Sequence, residues 1–428
     1  MVQISSETPE HGARWVIHMS LRVLADRSMA MEDVRRAARI AASSCIDAPS
    51  WVEDRVALPR DHQKITQRAI EVYMLSQKPN GEMGGIGWWQ TANGYTAMAL
   101  HDLWSGGAQE NYETLNSALQ QCEARHKDFI NVFNDDTLWW GMLCVHMYSL
   151  NHDHWYLERA QRIWKHVKRS VCKKGSVFFE GRDMEGAVFW TTRSDEEQIN
   201  AISTALFAEL SVRLALLART ATQNHDVSEE EYIEAARCSL GWILRCRYRL
   251  RQGLVLDHIK LKQGKAVDWV FTYNTGVTLG VCALLYEATG ERDYMVLARH
   301  MAIKAMTRTG PNGWVEDDGV LTEKHAYGRG THDPWKPNDV VGFKAVLVRQ
   351  LCMLYDVIGR IAGVGPELIA LKDIIKKFIN INFRSQLDRN TNGKGQYGAW
   401  WDGPFECPTS HAQMAVLDVM AAVKLVNR

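Results

Sequence analysis

Apolar residues recur at the period of an α-helix along most of the chain. In one stretch, Ile202, Leu206, Leu210, Leu214 and Leu217 follow one another at spacings of three or four residues, which places them on one helix face. Similar stripes predict helices over about 12–44, 64–77, 89–104, 111–127, 137–150, 153–170, 197–221, 228–247, 274–289, 291–308, 340–362, 366–385 and 410–426. Long alternating runs are scarce, and short ones at 176–180 and 253–258 predict small hairpins in loops. The pattern therefore predicts an all-α fold.

Three of the predicted helices begin with the same pattern, which indicates a repeated unit. Tyr156, Tyr232 and Tyr294 are each followed by a long apolar residue at the next position and by alanine four positions on. The offsets correspond to about one helical hairpin each. Roughly six such hairpins would close into a ring whose inner helices line a cleft, whereas an open superhelix is the alternative. Loops rich in glycine and tryptophan favour the closed barrel, and the lack of a Pro/Ser-rich linker predicts one domain over residues 1–428.

The charge balance and the aromatic content limit the classes of partner that the protein is expected to bind. The chain has 50 Lys and Arg against 50 Asp and Glu, and a net charge of zero argues against nucleic acid or an anionic membrane surface as partner. No run of 18 apolar residues is present, so no membrane span is predicted. The 16 tryptophans outnumber the 11 phenylalanines. Their flat apolar faces suit the C–H faces of sugar rings, but large helical cores also bury tryptophan.

Cysteine and histidine predict neither disulfides nor a metal site. The 9 cysteines follow no disulfide or zinc spacing, and His152 and His154 have no further ligand nearby. No nucleotide-binding loop is recognisable, so we expect no metal and no organic cofactor. The polar stretch 1–10 lacks the apolar core of a signal peptide. A cytoplasmic protein is therefore expected, with a secreted protein as the alternative if a leader has been removed.

The most distinctive local feature is the pair Asp135 and Asp136, which precedes a predicted helix. The free N–H groups and the dipole of a helix start favour carboxylates, so the pair could simply cap the helix. A retaining glycosidase instead needs two carboxyl groups about 5–5.5 Å apart, one ionised and one protonated. Repulsion would raise one pKa while the helix start would hold the other down. Adjacent aspartates at a helix start thus also fit an acid and a nucleophile.

Aromatic and amide side chains recur at the starts of other predicted helices. Each group alone is typical of packing, but their recurrence, one group for each hairpin, favours a sugar-binding cleft. The candidate substrate-binding residues are Trp88, Trp89, Asn93, Trp139, Trp140, Trp190, Asn200, Tyr273, Asn274, Trp400 and Trp401.

Several of these motifs together resemble glycoside hydrolase family 76, the endo-α-1,6-mannanases and their fungal cell-wall relatives. The matching stretches begin at Trp88, Asn134, Asn200, Thr272 and Gly342, in the same order as in the family, within residues 60 to 425. The resemblance implies an (α/α)6 barrel and retaining hydrolysis of α-1,6-linked mannan. It also implies that Asp135 is the nucleophile and Asp136 the acid/base. The chain departs from the family in having Thr275 where Gln is frequent, and in showing no leader.

The leading hypothesis is therefore a retaining glycosidase that acts on an α-mannoside, and we expect it to be a monomer. Transglycosylation would use the same two carboxyl groups. A barrel repurposed for small-molecule biosynthesis, for example a cyclase, would explain the missing leader, and a non-catalytic sugar-binding scaffold is the remaining alternative. The intact pair of aspartates counts against the last two.

Overall fold

Helices account for most of the residues that the computed structural model describes, which are 30–43, 49–53, 56–106, 109–220 and 227–428. A helix over 30–42, here α1, precedes twelve others. These are α2 (His62–Met74), α3 (Trp88–Leu103), α4 (Tyr112–Arg125), α5 (Asn134–Asn151), α6 (His154–Lys168), α7 (Ala201–Thr220), α8 (Glu229–Trp242), α9 (Thr272–Thr289), α10 (Arg292–Met306), α11 (Val340–Gly359), α12 (Pro366–Asp388) and α13 (Ser410–Val426). The part of the predicted helix 12–44 that precedes residue 30 lies outside the described residues.

Twelve of these helices form two concentric rings. In the inner ring, α3, α5, α7, α9, α11 and α13 each pack against the next, and α13 closes the ring by packing against α3. The outer helices α2, α4, α6, α8, α10 and α12 each pack against an inner neighbour. This arrangement is the predicted (α/α)6 barrel. The expectation of one domain over 1–428 stays a prediction.

The difference between the two rings follows from the sequence. Along α7, almost every residue from Ala201 to Ala215 is buried, because an inner helix is surrounded by protein on all sides. The outer helix α6 buries only one stripe, formed by Tyr156, Leu157, Ala160, Ile163, Trp164 and Val167. The repeated tyrosines Tyr156, Tyr232 and Tyr294 are buried in the first turns of α6, α8 and α10, so the repeat marks the outer helices.

The inner helix α7 is also apolar enough to be mistaken for a membrane span. Among the described residues, Ala201–Arg219 is the one helix that is long and apolar enough to cross a membrane, judged by length and composition alone. Most of it is buried inside the barrel, which is what a core helix of this kind requires.

Close packing between inner helices depends on glycine at one contact in particular. A Cβ atom added to Gly276 of α9 would lie 3.0 Å from the Cα atom of Leu347 on α11. Any larger residue would therefore push the first turns of α9 away from α11.

A small antiparallel sheet covers one side of the barrel mouth. Its central strand β5 (Leu254–Lys260) pairs with β3 (Gln198–Asn200), β4 (Tyr248–Arg249) and β6 (Lys265–Val270). A separate two-residue hairpin joins β1 (Phe178–Phe179) to β2 (Arg182–Asp183). The backbone N–H of Val255 donates to Oγ1 of Thr275, which ties the sheet to α9. Both predicted hairpins exist, but the second belongs to a larger sheet than the sequence indicated.

Candidate active site

All six inner helices begin at the same mouth of the barrel, where a cavity of about 730 Å³ opens. Its lining includes the first residues of α3, α5, α9 and α11 and the strands β3 and β5. His411, in the first turn of α13, lies beneath this lining and contacts Trp89. The free N–H groups of the helix starts therefore converge on this end of the molecule.

The two adjacent aspartates lie in this cavity, in the first turn of α5. The start of the helix is fixed because Asn134 donates from its backbone to the carbonyl of Trp190 (2.8 Å) and from its side chain to that of Phe189 (2.7 Å). The indole Nε1–H of Trp190 then donates to Oδ2 of Asp135 at 3.0 Å. The amide of Asn131 donates to Oδ2 of Asp136 at 2.9 Å. Each carboxyl group thus has its own N–H donor from a different segment.

Burial raises the pKa of both carboxyl groups. The pKa of Asp135 lies well above its ordinary value, first because of burial and second because of the charge of Asp136. Burial also raises the pKa of Asp136 to about 6, with a further contribution from the charge of Asp339. Because two adjacent negative charges repel each other in a buried place, the pair favours the state that shares one proton. The expectation that the helix start would hold one of the two pKa values down was wrong, since burial outweighs it.

A third carboxylate, Asp339, faces the pair from the position just before α11. Its Oδ1 accepts hydrogen bonds from Nε1 of Trp89 (3.1 Å) and from the side-chain amide of Gln90 (2.8 Å). These bonds connect α11 to the first turn of α3 across the cavity. Asp339 therefore fixes the orientation of Trp89 and keeps a negative charge near Asp136.

A fourth carboxylate, Asp257 of β5, organises the side opposite α3. One of its oxygens accepts from the amide of Asn274 at 2.9 Å and from the hydroxyl of Tyr273 at 3.4 Å. The other lies 2.8 Å from Nδ1 of His258. Burial raises the pKa of Tyr273 well above its ordinary value, so its hydroxyl remains a donor. Its ring stacks on Phe343 at 3.8 Å between centroids.

Eight of the sequence-predicted site residues line this cavity together. They are Asp135, Asp136, Trp88, Trp89, Trp139, Trp190, Asn200 and Tyr273. The indoles form much of the wall around the two aspartates, which is the arrangement expected for a site that packs against the apolar faces of sugar rings.

Five other predicted residues do not line it. Trp140 is fully buried and stacks on Phe129 at 4.8 Å, because its position on α5 points away from the cavity. The remaining four are also buried, each for a structural reason. Asn274 holds Asp257, Asn93 accepts from Arg349, Trp400 stacks on Tyr327, and Trp401 lies beneath Lys344.

The residues predicted to bind substrate did not include several lining residues, above all Asp257, His258, Trp269 and Asp339. The first three lie on the hairpin β5–β6, whose alternation was recognised only over 253–258. Asp339 carried the same signal as Asp135, a carboxylate just before a strongly apolar helix. Among the described residues, no group of three His, Cys, Asp or Glu side chains is placed to hold a metal ion.

Comparison with known proteins identifies the relatives of this barrel. The model of glycosyl hydrolase family 76 matches residues 60–427. The α-1,6-mannanase GH76A of Salegentibacter sp. HEL1_6 is 23% identical, with a TM-score of 0.69 over 86% of this chain and 100% of that chain. An inactive variant of it in which two neighbouring aspartates are replaced by asparagine, solved with α-1,6-mannotriose, is 22% identical with a TM-score of 0.70, over 86% of this chain and 100% of that chain.

A more distant neighbour is Dfg5 from Chaetomium thermophilum, solved in complex with glucosamine. It is 16% identical, with a TM-score of 0.67 over 87% of this chain and 92% of that chain. No curated protein matches the chain. At these identities the structural likenesses establish the fold.

Proposed function

The chain belongs to glycosyl hydrolase family 76 and is therefore a glycoside hydrolase, and we propose that it cleaves α-1,6-linked mannan or a related α-mannoside with retention of configuration. The observation that carries the proposal is the adjacent pair Asp135 and Asp136 in an indole-lined cavity. In the similar Salegentibacter mannanase, the variant lacking two neighbouring aspartates is inactive and binds α-1,6-mannotriose.

In the proposed mechanism the two carboxyl groups have separate tasks. Asp135 as carboxylate attacks the anomeric carbon, while Asp136 gives its proton to the glycosidic oxygen, so that the C–O bond breaks and a glycosyl ester forms on Asp135. Asp136, now ionised, then takes a proton from water, whose oxygen displaces Asp135 from the anomeric carbon. Two inversions at one carbon give overall retention, and the proton returns to Asp136.

The proton count of the free pair suits the first step. The mechanism needs one proton on the pair, located on Asp136, and burial raises the pKa of both carboxyl groups. Since the two groups share one proton, a substrate oxygen beside Asp136 and an anomeric carbon beside Asp135 would favour its transfer to Asp136. The proposal therefore requires the bound substrate to place the shared proton on Asp136.

Product analysis tests this function. An α-1,6-mannooligosaccharide is incubated with the protein, and the anomeric protons of the first products are followed by NMR. We expect α-configured products that later mutarotate, and none with the Asp135→Asn/Asp136→Asn double variant. Products longer than the substrate would indicate transglycosylation. Initial β-configured products would contradict retention, and no cleavage of any α-mannoside would favour the repurposed barrel or the sugar-binding scaffold.

A further inference from the structure

One wall of the cavity continues past the inner helices as the face of the small sheet. Strands β3 and β5 pair so that Gln198 lies beside Lys260 and Asn200 lies beside His258. Because alternate residues of a strand point to the same face, these four side chains form two adjacent pairs on one surface. All four line the cavity, so the sheet extends the cavity away from the two aspartates.

Trp269 of β6 stands at the exposed side of this wall. It lines the cavity while 60% of its surface remains accessible to solvent. Two rings contact it at steep angles, His258 at 5.8 Å and 82° and Phe271 at 6.0 Å and 67° between ring planes. These contacts orient the indole and leave most of it uncovered. A large apolar surface fixed in water at the edge of a cavity is typical of a ligand contact.

Several polar groups of the same cavity have unused hydrogen-bonding capacity. The side chains of Gln198, Lys260 and Glu196 line the cavity and form no hydrogen bond or ion pair with any described residue. Only 5% of the surface of His258 is exposed to solvent, and its Nε2 atom has no partner among the described residues. A buried nitrogen without a partner is unfavourable, and a hydroxyl group of a ligand would satisfy it.

We propose that this sheet face is an additional sugar-binding subsite, with Trp269 as the stacking platform for one hexose ring. The C–H face of the ring packs on the indole and one of its hydroxyl groups bonds with Nε2 of His258, while Gln198, Lys260 and Glu196 offer further polar contacts to the oligosaccharide along the sheet. The inference rests on the proposed function, because it places a second part of the same oligosaccharide outside the aspartate pair. Its consequence is a preference for longer chains over short ones.

The test compares kcat/KM for α-1,6-mannooligosaccharides of increasing length. Trp269→Ala should lose activity by a factor that grows with chain length and reaches about tenfold on the longest substrates, equivalent to ~1.4 kcal/mol. Trp335→Ala is the matched control, because Trp335 is 65% exposed but is not part of the cavity lining. It should match the wild type at every length.

The outcomes separate the two proposals. If the wild type cleaves mannooligosaccharides but Trp269→Ala behaves like Trp335→Ala, or loses activity equally at all lengths, the subsite is refuted while the function stands. If the wild type cleaves none, the function fails. Titration of the wild type and both variants with linear hexose oligosaccharides then decides the subsite, which is supported only if Trp269→Ala alone weakens binding by a factor that increases with length.

Discussion

Replacing Asp136 by asparagine should make the protein more stable while removing most of its activity. Burial raises the pKa of this carboxyl group from 3.8 to about 6, so the folded state holds the ionised form at a cost. One pKa unit corresponds to about 1.4 kcal/mol, which gives ~2–3 kcal/mol at neutral pH. Asparagine keeps the shape without the charge, and its amide oxygen can still accept the hydrogen bond from Asn131. Most of that cost is therefore removed in the variant.

The stability gain should depend on pH in a defined direction. The pKa is higher in the folded protein than in the unfolded chain, so the cost is absent below about pH 3.8, grows up to about pH 6 and is constant above that. Thermal unfolding of the wild type and of Asp136→Asn should therefore give similar midpoints near pH 3.8. At neutral pH the variant should have the higher midpoint.

Activity should move in the opposite direction. Loss of the acid should lower the rate on natural mannosides by on the order of 10²–10⁴-fold. The loss should be milder on an aryl mannoside with a good leaving group, and azide should partly restore turnover with retained configuration. Asp135→Asn should abolish turnover of all α-mannosides, because the nucleophile is needed whatever the leaving group.

If the pair only caps the helix, the asparagine variants should show neither the gain in stability nor the loss of activity. Asparagine caps a helix about as well as aspartate, so both variants would lose at most about 1 kcal/mol and keep their activity. Asp153→Asn is the matched control, since Asp153 caps α6 by accepting from the backbone of Trp155 at 2.9 Å, and it should change neither property. An Asp136→Asn protein that is less stable than the wild type and equally active would refute the reasoning.

Three further predictions follow from other contacts. Asp339→Asn removes a charge that raises the pKa of Asp136, so the alkaline limb of the kcat/KM profile should move to lower pH; an unchanged limb would exclude that coupling. Arg349→Met leaves Asp418 buried without its partner at 2.8 Å, which should cost about 3–5 kcal/mol in unfolding free energy, partly recovered at low pH in thermal unfolding. Dialysis against EDTA should leave activity unchanged, and a loss that a divalent ion reverses would contradict the expectation of no metal.

The sequence predicted the fold well because helical periodicity is a local signal that extends over many turns. Along α7 the burial on all sides and along α6 the single apolar stripe both correspond to visible patterns of residue type. The site was harder to predict, because it depends on which side of a helix or strand faces the mouth. Trp139 and Trp140 are adjacent and alike, yet a rotation of about 100° separates them on the helix, and only Trp139 reaches the cavity.

Residues contributed by the sheet were the least predictable. Leu254–Lys260 is mostly apolar, so the alternation that would place His258 and Lys260 on one face is obscured. One of its partner strands is also distant in the sequence, since β3 precedes β5 by the whole of α7 and α8. Pairing between such segments is a property of the closed barrel, and no local pattern specifies it.

The convergence of six helix starts explains why carboxylates collect at this mouth, but it does not explain why the pKa values of Asp135 and Asp136 are raised. A helix start stabilises a nearby carboxylate by typically 0.3–1 kcal/mol, which lowers a pKa by less than one unit. The pKa of Asp136 instead rises from 3.8 to about 6, so the loss of water outweighs the dipole. That loss comes from the surrounding walls, including Trp190 and the sheet. With the same helices and a shallower mouth, both aspartates would be ionised near neutral pH and the pair would lack an acid. The loops and the sheet therefore determine the pKa values of the two aspartates, whereas the helices of the barrel determine their positions.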